Sequence, residues 1–504
     1  MRYYLGIDIG TYESKGVLVN AEGCIAASAG KPHKMLVPQP GWAEHRARED
    51  WWEDFTYLSR TLIDKSGVSP GDIRAVATSA IGPCMLPVDE EGEPLMNAVL
   101  YGVDTRASAE VSELAERIGN ELLLERGGQS LTSQSVGPKI LWLKRNRPQI
   151  FAQAAKFVTS TTFLVHRLTG EYVVDHYTAA NFTPLYDAEL QEWSEALVDD
   201  IVPLGRLPRL LWSTDIAGHV TADAAAATGL AAGTPVTTGT IDAAAEAISV
   251  GVLDAGETLL MYGSTIFIIM VTADRMRDPR LWYAPWLFPD QHASMSGLAT
   301  SGTLSHWFRE QFARELDPAT ALVELTKEAE GSPPGAKGLV MLPYFSGERT
   351  PIHDPHAKGV IFGLNLTHGR GDLYRALFEG IALGTQHVFE AYGQAGQPPR
   401  ILLAAGGGTK NRVWVQATSD VTGLPQIIRE QTIGASYGNA FLAALAVGDA
   451  QRHEIRQWNP VVRKVLPNEA VATMYQEHYR VFRELYRRNK DLMADLSASP
   501  RPQG

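Results

Sequence analysis

The 504 residues are 45% hydrophobic and 20% charged, a globular balance on a chain long enough to predict two domains rather than one core. A net charge of −12 argues against a nucleic-acid partner, which demands a basic stripe. The two cysteines, Cys24 and Cys84, form neither a disulfide framework nor a metal-ligand spacing.

MRYYLGIDIG has no signal-peptide apolar core and reads directly as a strand. LGIDIGTYESKGVLV is strand, Gly-Thr turn, strand, and AEGC supplies the next turn before a third strand at IAASAG. The first strand carries Asp8 among apolar neighbours. A buried, unpaired carboxylate is costly or neutralises itself, so Asp8 is a candidate partner for a cation. REDWWEDFTYLSRTLIDKSG places Trp51, Phe55, Leu58 and Leu62 at helical spacing, and the Trp51–Trp52 pair reads as packing. IRAVATSAIG is a buried strand, and strands alternating with helices indicate an α/β fold. TPVTTGTIDAAAEAISVGVLD runs from a strand through Gly239 into an Ala-rich helix that begins at Asp242. GETLLMYGSTIFIIMVT then repeats the strand, small-residue turn, strand pattern of residue 3, which suggests an internal duplication. Its apolar run is interrupted by Gly-Ser-Thr and is too short for a bilayer span. A cytoplasmic protein with no membrane partner is expected, and the tail SASPRPQG cannot build a core.

No GxxxxGK[ST] loop, strand-coupled GxGxxG or HExxH pair occurs. Three turns of small residues stand in their place: Gly10-Thr11, Gly263-Ser264-Thr265 and AAGGGTKN at 404–411. Their backbone N–H groups can approach phosphate oxygens because no Cβ intervenes. Asp242 has two readings from its local sequence, a helix cap or a general base beside a helix N-terminus.

LPYFSGERTPIHDPHAKGVIFGLNLTHGRGDLYRALFEGIA (342–382) and AAGGGTKNRVWVQATSDVTGLPQ (404–426) resemble signature regions of the FGGY family of carbohydrate kinases. GIDIGT, TIDAAAEA and GASYGNAFLAALAVG agree, so the resemblance spans nearly the whole chain, closest to the xylulose-kinase-like branch. It implies duplicated actin-like, hexokinase-type (ribonuclease H-like) α/β domains closing over a central cleft with Mg-ATP and a sugar between them. The expected domains are 1–245 on the sugar and catalytic side and 246–490 on the nucleotide side, with a flexible tail at 491–504. The resemblance implies Asp8 at the Mg2+, and Thr11 and Lys15 at the ATP phosphates. It implies Gly263 and Ser264 as the second phosphate loop, Gly302, His306, Gly407 and Asn411 on the nucleotide side, and Asp242 as catalytic base.

The sugar site departs from the family. Where xylulose kinases carry Gln-Met-His-Gly and glycerol kinases Arg-Glu, this chain has Ile81, Gly82, Pro83 and Cys84. Contacts to substrate are therefore expected at Gly82 and Pro83 and from Asp104, Arg106 and Gln134. The reading is ATP-dependent phosphorylation of a small sugar or polyol, a pentulose such as xylulose or a related ketose. The rivals are a non-catalytic sugar or nucleotide sensor and an actin-like ATPase without sugar substrate. A homodimer is left open.

Overall fold

The computed structural model describes residues 1–498. The chain forms two compact units: Met1–Leu253 with Val271–Ala293 and Ile433–Pro460, and Asp254–Met270 with Ser294–Thr432 and the segment from Val461 onward.

The first unit is built on one sheet. Its strands are β1 (Tyr3–Ile9), β2 (Glu13–Asn20), β3 (Ile25–Pro32), β4 (Ile73–Ala80), β5 (Ile216–His219), β6 (Pro235–Thr237) and β7 (Thr240–Ile241). The order is β5-β6-β4-β1-β2-β3, with β7 also on β4. β1 runs antiparallel to β2 and parallel to β4. Tyr4, Leu5, Ile7 and Ile9 are fully buried, as befits a central strand covered on both faces. β3, at the edge, is half exposed. The helix Glu53–Ser66 buries Phe55, Leu58 and Leu62 and ends on Gly67 at φ +65°, a left-handed C-cap that favours glycine. Trp51 lies in the preceding turn, fully buried, and Trp52 stacks on Phe55, so the tryptophan pair packs as expected.

The second unit repeats the opening. β8 (Glu257–Tyr262) and β9 (Ile266–Thr272) form a hairpin, and β10 (Ile401–Ala405) lies parallel to β8, as β4 lies parallel to β1. The sheet continues through β11 (Gln426–Arg429) to β12 (Val461–Val465). The duplication read from two similar turns is thus a duplication of topology. The helix Arg370–Gln394 and the helix Arg412–Thr422 pack within this unit.

The compact units are not continuous in sequence. The break falls after Leu253 rather than 245, and Ile433–Pro460 returns to the first unit. The reason is the helix Ala435–Ala446, whose residues 435–444 are all buried. It lies on β1 at Gly6, where a Cβ would stand 2.0 Å from Ser436 O. It crosses the helix Asp242–Ser249 at Gly438, where a Cβ would stand 1.9 Å from Ala245 O. The helix Ala472–Ala498 takes in residues 491–498, which the sequence reading assigned to the tail; residues 499–504 of that tail lie outside the described residues. Among the described residues, no helix is long and apolar enough to cross a membrane.

Gly438→Ala is expected to lower the melting temperature, because the obstructing atom is backbone and overpacking costs about 1–3 kcal/mol. Gly393→Ala is the contrast. It sits in a helix with no heavy atom within 4 Å of its virtual Cβ, so helix propensity should give a gain of about 0.5 kcal/mol. Thermal melts of the two variants read the difference.

Candidate active site

Three strands of the first unit bring the acids together. Asp8 on β1 pairs in register with Lys15 on β2 and with Ser79 on β4, and Ser79 in turn pairs with Thr240 on β7. Ser79 Oγ donates to Asp8 Oδ1 at 2.7 Å, and Asn439 Nδ2 donates to Ser79 Oγ at 2.8 Å and to Ile7 O at 2.9 Å. Burial pushes the Asp8 carboxyl up to about 6, against the opposing pull of Ser79 and Lys15. Two residues beyond Thr240, Asp242 is the first residue of its helix rather than its cap, since Ile241 holds the cap position. Ala243 N donates to Asp242 Oδ1 at 2.7 Å. Burial raises the Asp242 carboxyl well above its ordinary range, and the charges of Asp8 and Glu246 raise it further.

Glu246 was not read from the sequence. It lies one helical turn beyond Asp242, and burial followed by the Asp8 charge pushes it up to about 7. The i, i+4 spacing from Asp242 puts both acids on one helix face and was the available signal. The strand before this helix is held by Thr240 Oγ1, which donates to Asp175 Oδ2 at 2.8 Å.

The acceptor-side expectations fare unevenly. Gly82 lies against the residue before Asp242; a Cβ there would stand 3.0 Å from Ile241 Cγ1. Pro83 and Cys84 are buried. Asp104 and Arg106 are paired with each other. The Arg106 side chain is 0% exposed, its guanidinium lies 3.8 Å from the Trp42 ring centre, and it pairs with Asp104 at 2.7 Å and Glu44 at 2.9 Å. Asp104 also accepts from Ala43 N at 2.7 Å. A charge buried this way is held chiefly by its partners, and the pair braces the loop; Arg106 Nη1 has no hydrogen-bond partner among the described residues. Gln134 is a brace as well, its Oε1 accepting from Gly102 N at 3.0 Å. Tyr101 was missed. Its hydroxyl lies 3.2 Å from Thr11 Oγ1, and, behind burial and that hydrogen bond, the Asp242 charge acts on it. A lone tyrosine in a loop carries no motif, and only the fold turns it toward Thr11.

The second unit holds a pocket of about 750 Å3. Gly263, Ser264, Gly302, His306, Gly407 and Asn411 all line it, against walls of Tyr374, Phe378 and Trp414. The hairpin turn is tied to the start of the helix Gly302–Phe312: Gly302 N donates to Gly263 O at 3.1 Å and Thr303 Oγ1 to Ser264 O at 2.9 Å. Gly302 permits this approach, since a Cβ would stand 2.4 Å from Gly263 O. Asn411 also caps the helix Arg412–Thr422, its Oδ1 accepting from Trp414 N at 3.0 Å, while Nδ2 reaches Thr326 Oγ1 at 3.2 Å. Backbone groups in small-residue turns beside an aromatic slot suit a nucleotide.

Comparison with known proteins gives a consistent result. Residues 3–249 match the N-terminal domain of the FGGY family of carbohydrate kinases and residues 259–447 its C-terminal domain. The chain is 29% identical to the xylulose kinase of Bacillus subtilis over 503 residues, 99% of each chain. It is 29% identical to glycerol kinase 2 of Streptomyces coelicolor over 467 residues, 88% of this chain and 89% of that one. The crystal structure of xylulose kinase from Rhodospirillum rubrum superposes with a TM-score of 0.92 at 32% identity, covering 98% of this chain and 100% of that one.

Two outcomes follow from this geometry. Asp8 and Glu246 hold protons in the fold at pH values where the unfolded chain has lost them. The folded state therefore binds the excess protons, and apo stability falls as pH rises between about 4 and 7. Glu246→Gln should flatten that slope in melts across the range. Asp104→Asn breaks a buried pair, a change that costs about 3–5 kcal/mol. It should lower the melting temperature while leaving the KM of the acceptor unchanged in the folded range; a raised KM at unchanged stability would return Asp104 to the substrate.

Proposed function

The chain belongs to the FGGY family of carbohydrate kinases, and from that membership we propose that it transfers the γ-phosphoryl group of ATP to a hydroxyl of a pentulose, with D-xylulose or a related ketose as acceptor. The observation that carries the reading is Asp242: a desolvated carboxylate at a helix start, made more basic by Asp8 and Glu246. Such a group is a suitable base for a sugar hydroxyl. Relatives named xylulose kinase support the acceptor, at 29% and 32% identity over nearly the full chain.

Phosphoryl transfer runs through a loose transition state in which catalysis is mostly positioning and charge stabilisation. Asp242 orients the acceptor hydroxyl and takes its proton as the new P–O bond forms. In the first unit the Gly10–Thr11 turn offers backbone N–H groups to phosphate, with Lys15 as a cation opposite Asp8; in the second the Gly263–Ser264 turn lines the nucleotide pocket. Tyr374, Phe378 and Trp414 hold the base of the nucleotide away from water. The first unit also has the donors for Mg2+. Asp8 and Glu246 are hard oxygen ligands, and burial raises the pKa of each, so a cation would favour their ionised forms. Mg2+ is commonly taken by one or two carboxylates together with substrate phosphates, and among the described residues no group of three or more His, Cys, Asp or Glu forms a protein-only cage. When bound, the ion would neutralise charge developing on the transferred group. The two cysteines are unpaired, which suits the reducing cytoplasm where ATP is available.

Asp242→Asn tests the reading. The amide cannot accept the proton, so kcat should fall by roughly 10² to 10⁴, while nucleotide affinity is kept. Stability should be equal or higher, since a repelled buried charge is removed. The assay is ketose-dependent ADP release, run beside glycerol and without acceptor. A variant with more than half of wild-type kcat leaves Asp242 no catalytic role, and equal ADP release without acceptor points to an ATPase.

A further inference from the structure

The Gly10–Thr11 turn is held from behind by two buried histidines. His33 Nε2 lies 3.0 Å from Gly10 O, and His33 Nδ1 lies 2.9 Å from Asp54 Oδ2. Asp54 also receives Ser14 Oγ at 2.7 Å and Lys31 Nζ at 2.8 Å. A carbonyl only accepts, and a carboxylate already accepting from an ammonium and a hydroxyl is ionised, so both His33 nitrogens must donate. His33 is therefore an imidazolium. Its side chain is 5% exposed.

His45 has the complementary state. Its Nε2 lies 3.1 Å from Thr11 O, and its Nδ1 accepts from Trp51 Nε1 at 3.0 Å. One nitrogen donates and the other accepts, so His45 is neutral. The rings meet edge to face at 5.0 Å, and burial followed by the His33 charge pushes His45 down to about 4. The next carbonyl is held too: the backbone N–H of His33 donates to Tyr12 O at 2.9 Å. Three successive carbonyls are thus fixed. Because each peptide is planar and trans, fixing Gly10 C=O aims the Thr11 N–H the opposite way, and fixing Thr11 C=O aims that of Tyr12.

We propose that cationic His33 and neutral His45 form a clamp that positions the Gly10–Thr11 turn for the phosphates of the nucleotide. His33 is a positioning residue that acts through the backbone of the turn. The inference rests on the reading of that turn as a phosphate cradle. Burial pulls the His33 pKa down, but the Asp54 hydrogen bond and charge, the Gly10 carbonyl and the Asp50 charge outweigh it, and the net shift is upward. The charged and titratable groups facing His33 are Asp54, with Lys31 on its far oxygen, Asp50 and neutral His45. A raised histidine pKa means that the clamp is complete below the ordinary imidazole range and is lost as pH rises through the folded value.

The test is calorimetric binding of a Mg2+-complexed non-hydrolysable ATP analogue to wild type, His33→Gln and Asp54→Asn between pH 6 and 9, with amide hydrogen exchange of the segment 8–14 on the apo proteins. Wild-type affinity should weaken about tenfold at the alkaline end, the scale of one charge-assisted hydrogen bond. His33→Gln should bind weakly with a flat profile and exchange faster across 8–14. Asp54→Asn, which loses the carboxylate that retains the proton, should move the weakening to lower pH. Wild-type affinity and slope in His33→Gln overturn the clamp, as does unchanged exchange in both variants. A wild-type chain that binds no nucleotide overturns the phosphate-cradle reading instead, and exchange alone then decides whether the histidines hold the turn.

Discussion

The first unit is organised around a repulsion. Asp8, Asp242 and Glu246 are desolvated together; the Asp8 charge acts on both of the others, and that of Glu246 acts on Asp242. A core does not gather like charges unless something outside the apo chain relieves them. The surrounding structure makes the arrangement tolerable. Ser79 and Asn439 feed hydrogen bonds toward Asp8, and Lys15 faces it across the hairpin. The backbone of the helix Ala435–Ala446 comes close enough to hold both β1 and the Asp242 helix, because Gly6 and Gly438 leave room. That close packing is the reason a segment near residue 440 belongs to the unit that begins at residue 1.

The two hairpins show how one topology takes two tasks. In each unit an antiparallel pair ends in a turn of small residues and is flanked by a parallel strand. The residue two before the turn glycine is Asp8 in the first unit and Met261 in the second. The first turn is backed by ionised His33 and neutral His45, which lock its carbonyls. The second is backed by the start of a helix whose Gly302 and Thr303 donate to the turn. The same backbone shape carries a buried acid in one unit and opens on an aromatic-walled pocket in the other.

Asp8 in an apolar strand and Asp242 at the start of an alanine-rich helix stood out in the sequence because each breaks a local pattern, whereas the six pocket residues of the second unit were singled out through small-residue turns and the family resemblance. The opening strand and its echo at residue 257 likewise disclosed the duplication, since a hairpin is a local object. Asp104 and Arg106 show what such local patterns leave open. In sequence they are two charges in a loop, a pattern that suits solvent or a ligand. In the fold Trp42, Trp142 and Glu44 close over the guanidinium.

The sequence by itself determined the α/β class, the doubled hairpin and the family, because these depend on patterns within a few residues and on their order along the chain. Only the tertiary structure decided that Glu246 joins Asp8 and Asp242, that Tyr101 faces Thr11 while Arg106 is sealed, and that Ile433–Pro460 returns to the first unit. Each of these depends on which distant segments exclude water from a given side chain. Desolvation sets both the pKa of an acid and the availability of a charge, and it is a property of the packed fold rather than of any segment in it.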